Sequence, residues 1–211
     1  EESNDKDKKY NKLRKESSIK KEILYVTAQE HAVPSSMLAM IKYIKAEKSD
    51  YEQLITVNSG NIKESEERLK RYNLSDIQII TRDDEKYLKS LSEAEYIFSD
   101  CGLEYYFAAK NNQKYFNLQT DNISAKMTRK KERECFEFAT VQKSIITPKA
   151  SIYLTNESRL SFEKAYRCEM LPTSAIISDS PAFDMAGATN FASSTDKIKI
   201  LFTPQFKATS G

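Results

Sequence analysis

Residues 22–60 read EILYVTAQEHAVPSSMLAMIKYIKAEKSDYEQLITVNSG. An unbroken apolar run, ILYV, gives way at Pro34 and two serines to a stretch with a different period. From there Met37, Leu38, Met40, Ile41 and Ile44 fall on one helical face. A second apolar run, QLITV, closes the stretch before Gly60. Strand, helix and strand in this order form one βαβ unit. Apolar runs without polar alternation are what strands buried on both faces require.

The same alternation continues outward. IKESEERLKRYNL reads as a charged helix, DIQIIT as a third strand, and DDEKYLKSLSEA as a helix with Asp83 and Asp84 as capping acids at its start. AEYIFSD is a fourth strand, KYFNL a fifth, SIYLT a sixth and SAIIS a seventh. The segment KKERECFEFATVQKSIITPKA is a long helix ending near Pro148, and SRLSFEKAYR is another. SPAFDMAGATNFASSTD is a loop or a short helix, and KIKILFT an eighth strand. The fold expected is α/β: a Rossmann-like, mostly parallel sheet with helices on both faces. In such sheets ligands sit outside the carboxyl ends of the strands. That directs attention to the loops after VTAQ, TVNS, IFSD, YFNL, YLT and IIS. Residues 1–21 are rich in mixed charge and read as a linker or surface helix. Residues 22–196 form the Rossmann-like domain. Residues 197–211 hold the last strand and a tail, the possible start of a second domain.

Composition narrows the chemistry. The 211 residues carry 33 Lys and Arg against 31 Asp and Glu, a net charge of +2. That balance offers no general attraction for nucleic acid or an anionic membrane. There are 4 glycines and 1 histidine, His31, whereas ordinary usage would give about fifteen glycines. Both residues serve tight catalytic loops and proton transfer, so their scarcity weighs against ordinary catalysis. A Lys, Asn and Ile bias in the underlying genome explains the counts equally well. The 3 cysteines, Cys101, Cys135 and Cys168, have no CxxC spacing and read as reduced thiols of a cytoplasmic-type compartment. No run approaches the roughly 18 apolar residues of a membrane span, and no signal peptide is visible at this N-terminus.

Dinucleotide and P-loop glycine fingerprints are missing, as is a GxSxG elbow. One histidine and three scattered cysteines cannot supply the usual zinc spacings, so neither a metal nor a cofactor is expected. His31 follows the first strand beside Glu30, an arrangement that would suit a general base oriented by a carboxylate. The plainer reading is a solvent-exposed loop histidine. Tyr105, Tyr106 and Phe107 read as core packing before they read as a substrate wall. Arg129, Lys130 and Lys131 could receive an anion at a helix start, although a solvated helix end is commoner.

Four segments, in order and at matching spacing, together resemble the CDP-glycerol glycerophosphotransferases of teichoic-acid synthesis. AEYIFSDCGLEYYFAAKNNQKYFNL is similar to the family's lead-in to its catalytic loop. FEFATVQKSIITPKASIYLTNES is similar to the helix and strand that follow. IISDSPAFDM stands where the family has G-Y-P-R-N-D, and KIKILFTPQFK resembles K-x-I-L-Y-A-P-T-F-R, which opens the family's second domain. The resemblance implies the N-terminal, acceptor-side half of a GT-B architecture. It also implies transfer of glycerol phosphate from CDP-glycerol to a polyol-phosphate or glycan acceptor, at the cytoplasmic face of the cell membrane. The nucleotide would be held mainly by a second half.

The departures are chemical. The family's loop W-H-G-T-P-L-K is replaced by QTDNISAK, residues 119–126, which has no His and no Gly. Thr120, Asn122 and Ser124 are polar without titrating near neutrality, and Lys126 stands near the family's Lys. In DSPAFD, Pro181 and Asp184 persist and Ser180 precedes them, but Ala182 replaces the Arg that could clamp a phosphate. Thr120, Asn122, Ser124, Lys126, Ser180 and Asp184 are therefore the substrate-binding candidates, and His31 with Glu30 the candidate catalytic pair. Three readings stay open. One is an enzyme in which His31 substitutes as base. A second is a non-catalytic module that binds an acceptor or a protein partner within a larger cell-envelope protein. A third is a soluble α/β domain whose resemblance to the family is architectural only.

Overall fold

The computed structural model describes residues 2–28, 32–48, 50–119, 135–171 and 174–182. Its centre is a seven-stranded sheet with every neighbouring pair parallel. The strands are β1 (Lys20–Val26), β2 (Glu52–Thr56), β3 (Gln78–Ile80), β4 (Ala94–Ser99), β5 (Lys114–Gln119), β6 (Ala150–Tyr153) and β7 (Ala175–Ile177). They lie in the order β3-β2-β1-β4-β5-β6-β7. The chain steps outward in one direction from β1 and then, from β4, in the other. The junction of β1 and β4 is thus the topological switch point, where a doubly wound sheet opens its crevice.

The helices are α1 (Glu2–Glu16), α2 (Ser35–Glu47), α3 (Ile62–Arg71), α4 (Glu85–Glu93), α5 (Cys135–Ile146) and α6 (Asn156–Ala165). Alternate residues of β1 explain why both sheet faces are covered. Ile23 and Tyr25 pack with Met37, Leu38 and Ile41 of α2 and Leu69 of α3. Leu24 and Val26 point the other way and pack with Leu88 and Leu91 of α4, Tyr115 of β5 and Phe107. A smaller cluster joins Ile145 of α5, Tyr153 of β6, Phe162 of α6 and Tyr166, which caps the end of α6.

The expected α/β class and the first seven strands agree with this architecture. The eighth expected strand, KIKILFT, lies outside the described residues. Asp84 caps α4, its carboxylate accepting from the Lys86 amide at 2.8 Å, while Asp83 pairs with Lys6 of α1 at 2.8 Å. Thr155 and Ser158 form a reciprocal capping box at the start of α6. Tyr106 and Phe107 belong to the core, as their aromatic clustering suggests.

The charged opening segment forms α1, and it docks chiefly through Tyr10, with Leu13 packed against the same core cluster. Tyr10 is fully buried beside Tyr106 and Phe107, and its hydroxyl donates to the Ala108 carbonyl at 3.1 Å. Arg14 adds hydrogen bonds from Nε to the Ala108 carbonyl at 2.7 Å and from Nη2 to that of Ala109 at 3.2 Å. Lys9 pairs with Glu85 of α4.

Candidate functional site

Parallel pairing brings the ends of β1, β4 and β5 side by side. Val26 is in register with Thr56 of β2 and Ser99 of β4, Ser99 with Asn117 of β5, and Asn117 with Ser151 of β6. Near the carboxyl edge the sheet therefore carries a row of small polar side chains. Thr56, Ser99, Asn117 and Ser151 are all buried. One level deeper the same face is apolar, with Leu24, Leu54, Ile97 and Tyr115. The face changes from apolar to polar toward the edge while staying buried, so this row is a floor beneath the edge loops and not the wall of an open crevice.

Charge enters this floor from β3. Arg82 stands two residues beyond Ile80, and its Nη2 donates to the Thr27 carbonyl at 3.2 Å and to Cys101 Sγ at 2.8 Å. Its Nη1 reaches Glu104 Oε1 at 3.5 Å, and Glu104 Oε2 accepts the Tyr87 hydroxyl at 2.6 Å. Asp100 closes the other side of the junction, its Oδ1 accepting from the Ala28 amide at 2.8 Å. Thr27 is tied to β2 by a 2.6 Å bond from its hydroxyl to the Thr56 carbonyl. The loops after β1, β3 and β4 are thus laced together at the switch point by one guanidinium and two carboxylates.

The titratable groups here are set for structure rather than for nucleophilic attack. Cys101 is exposed as a residue, but protein atoms packed around its sulfur raise the thiol to about 11, against the opposing pull of the Arg82 guanidinium. A thiol in that state is neutral at physiological pH and a poor nucleophile. Tyr87 is also raised, first by burial and then by the Glu104 charge, so its phenol stays a proton donor. Gly102 follows Cys101 with φ +77°, and a Cβ there would meet Ser144 Cβ of α5 at 2.9 Å. The β4 loop and α5 approach this closely because the residue is glycine. Asn117 Nδ2 donates to the Ser144 carbonyl at 2.9 Å, and Lys143 Nζ to that of Phe107 at 2.8 Å and to that of Tyr105. These bonds fix the last turns of α5 against β5 and the loop after β4.

Of the sequence-derived candidates, Ser180 lies three residues beyond the end of β7, half-buried, its Oγ accepting from the Ala182 amide at 3.3 Å. Glu30, His31, Thr120, Asn122, Ser124, Lys126 and Asp184 lie outside the described residues, as do Arg129, Lys130 and Lys131. The strands that lead into them end at one edge of the sheet. Arg82, Glu104 and Asp100 were not singled out from the sequence. An arginine two residues past a buried strand is the sequence signal for the loop after IIT. Among the described residues no group of three or more His, Cys, Asp or Glu side chains could hold a metal ion. No helix among them is long and apolar enough to cross a membrane.

Among curated proteins, none matches the chain. Solved structures of the wall teichoic acid polymerase TagF share the fold. The unsubstituted polymerase superposes with a TM-score of 0.64 at 16% identity, over 88% of this chain and 45% of the polymerase. A variant with one histidine replaced by asparagine gives 0.62 at 15% identity, over 90% and 45%. The same variant soaked with CDPG gives 0.62 at 14%, over 83% and 44%. The chain spans less than half the length of these polymerases. The family described as CDP-glycerol:poly(glycerophosphate) glycerophosphotransferase matches residues 10–206. The chain belongs to that family.

Proposed function

We propose that the chain is the acceptor-side half of a glycerophosphotransferase-like protein of teichoic-acid or related polyol-phosphate synthesis. It holds the acceptor at the carboxyl edge of its sheet and does not itself supply the base for group transfer. One observation carries this reading. β5 ends at Gln119, between β4 and β6 on that edge, and the residues that follow, TDNISAK, contain neither His nor Gly. The resemblance puts the family's catalytic His and Gly at this place. Hydroxyl and amide side chains can hydrogen-bond a polyol phosphate but cannot take a proton from an attacking hydroxyl near neutral pH. Arg82 does not compensate for the Arg replaced by Ala182, because Thr27, Cys101 and Glu104 already engage it. CDP-glycerol would require a second half, and the working location would be the cytoplasmic face of the membrane.

A second reading, with His31 as substitute base, draws on topology. The loop carrying His31 leaves β1, which is separated from β5 by β4 alone. An interaction module for a protein partner is the remaining alternative.

Calorimetric titration of the 211-residue chain separates acceptor binding from nucleotide binding. An oligo(glycerol phosphate) should bind, and CDP-glycerol should give no heat of binding. Binding of CDP-glycerol, or failure of the oligomer to bind, would overturn the assignment of this half.

A further inference from the structure

Parallel strands need a crossover connection, usually a helix. The crossover from β4 to β5, residues 100–113, contains neither helix nor strand. Its backbone closes short turns, with the Phe107 amide donating to the Glu104 carbonyl at 2.9 Å and the Gln113 amide to that of Lys110 at 3.0 Å. A segment with so little regular structure of its own takes its shape from what holds it.

α1 holds it at successive points. The Tyr10 ring lies 5.4 Å from that of Tyr106 and 6.3 Å from that of Phe107. Its hydroxyl accepts from the Ala108 amide at 3.4 Å and donates to the Ala108 carbonyl at 3.1 Å. Arg14 takes the carbonyls of Ala108 and Ala109. Just past the helix, the Ser17 carbonyl and hydroxyl accept from Lys110 Nζ at 2.6 and 2.9 Å. Tyr10, with Leu13 against it, shares a core cluster with Leu103, Phe107 and Tyr115. On this face of the sheet α1 therefore takes the place of the missing crossover helix, although it comes from earlier in the chain.

The same crossover begins at the switch point. Cys101 and Glu104 both meet Arg82, and a single turn, Glu104 to Phe107, separates that contact from the ring of Tyr10. The other hold on Glu104 is the Tyr87 hydroxyl of α4. α4 is itself tied to α1 through Lys9 and Glu85, and to Ser17 through Ser92.

We propose that α1 is a strap that sets the switch point. Tyr10 and Arg14 hold the β4–β5 crossover, and through it keep Glu104 and Arg82 closed around Cys101. Undocking of α1 opens the switch point without unfolding the sheet. Tyr10 and Arg14 are positioning residues, and the proposal rests on these contacts and not on the acceptor reading.

Thiol labelling of the 211-residue chain with N-ethylmaleimide, read site by site from peptide masses, tests this with no substrate present. The Cys101 sulfur is packed by Arg82, Ser99 and the Gly102 carbonyl, whereas Cys168 is buried in the separate cluster of α5, β6 and α6. In Tyr10→Ala, Cys101 should react at least about tenfold faster than in the wild type while Cys168 keeps its rate. Lys12→Ala, at an exposed position of α1, should behave like the wild type. Arg14→Ala should also speed Cys101, with hydrogen exchange at the Phe107 and Gln113 amides at least about tenfold faster. That variant decides the matter if Tyr10→Ala fails to fold. Equal acceleration of Cys101 and Cys168 would mean general loosening and would overturn the proposal. So would a Cys101 rate unchanged in both variants. Faster exchange at Phe107 with Cys101 unchanged would end the coupling at the crossover and would also overturn it.

Discussion

The Arg82 guanidinium donates to the Thr27 backbone carbonyl at 3.2 Å, joining the loop after β3 to the end of β1 across the top of β2. The same group meets Glu104, so one side chain carries both a backbone tether and a largely sheltered ion pair. Removing one partner of such a pair leaves the other charge poorly solvated. Arg82→Ala should therefore destabilise the chain by about 2 kcal/mol, read from urea denaturation midpoints. An Arg82→Ala, Glu104→Gln double variant should recover part of that loss. If the double variant is as unstable as the sum of the single changes, the pair is not coupled.

Gly102 provides a second test, because two costs coincide there. Gly102→Ala must hold an L side chain at φ +77° and push its Cβ into Ser144. The left-handed conformation alone costs about 1 kcal/mol, and the contact adds to it. Thermal unfolding should show a clear drop in Tm for Gly102→Ala. Adding Ser144→Gly should restore the contact part and leave the backbone part. Full restoration would mean that backbone conformation contributes nothing.

Glu22 lies at the opposite, amino end of the sheet. It is buried, in register with Glu52 and close to Glu93, and its Oε1 has no hydrogen-bond partner. Burial raises its carboxyl above the ordinary range, the Glu52 and Glu93 charges raise it further, and the Ser90 hydrogen bond and Lys86 oppose them. The folded state thus holds the proton more tightly than the unfolded chain. The stability this confers is fully present below the ordinary carboxylate pKa and is lost as pH rises through the raised folded value. Glu22→Gln removes this titration. Between about pH 4 and about pH 8, the variant's Tm should gain on the wild type as pH increases. A constant difference across that range would contradict the assignment.

Most of the framework was legible in the sequence because its strands are buried on both faces. ILYV, IQII and SIYL need no partner to be recognised, and the helix from Met37 to Ile44 shows its own period. The helix at the N-terminus was less legible, since its apolar anchors, Tyr10 and Leu13, are two residues within a run of charges. The lacing at the switch point was legible only in fragments, an arginine two residues past the buried run IQII and an acid closing IFSD. Arg82, Glu104 and Asp100 are ordinary surface residues in composition, and they meet only because β3, β1 and β4 are neighbours in an order that the sequence does not display. That residues 120–126 after β5 hold no His and no Gly was readable directly, since it concerns residue types and not their arrangement.

The central claim is that the chain keeps the family's fold without the base its chemistry needs. The direct measurement is release of CMP from CDP-glycerol by the full-length protein that contains this chain, supplied with a polyol-phosphate acceptor, beside a His31→Ala variant. The account predicts no CMP above an enzyme-free blank in either. Turnover by the unaltered protein that disappears in His31→Ala would contradict it and would make His31 the substitute base.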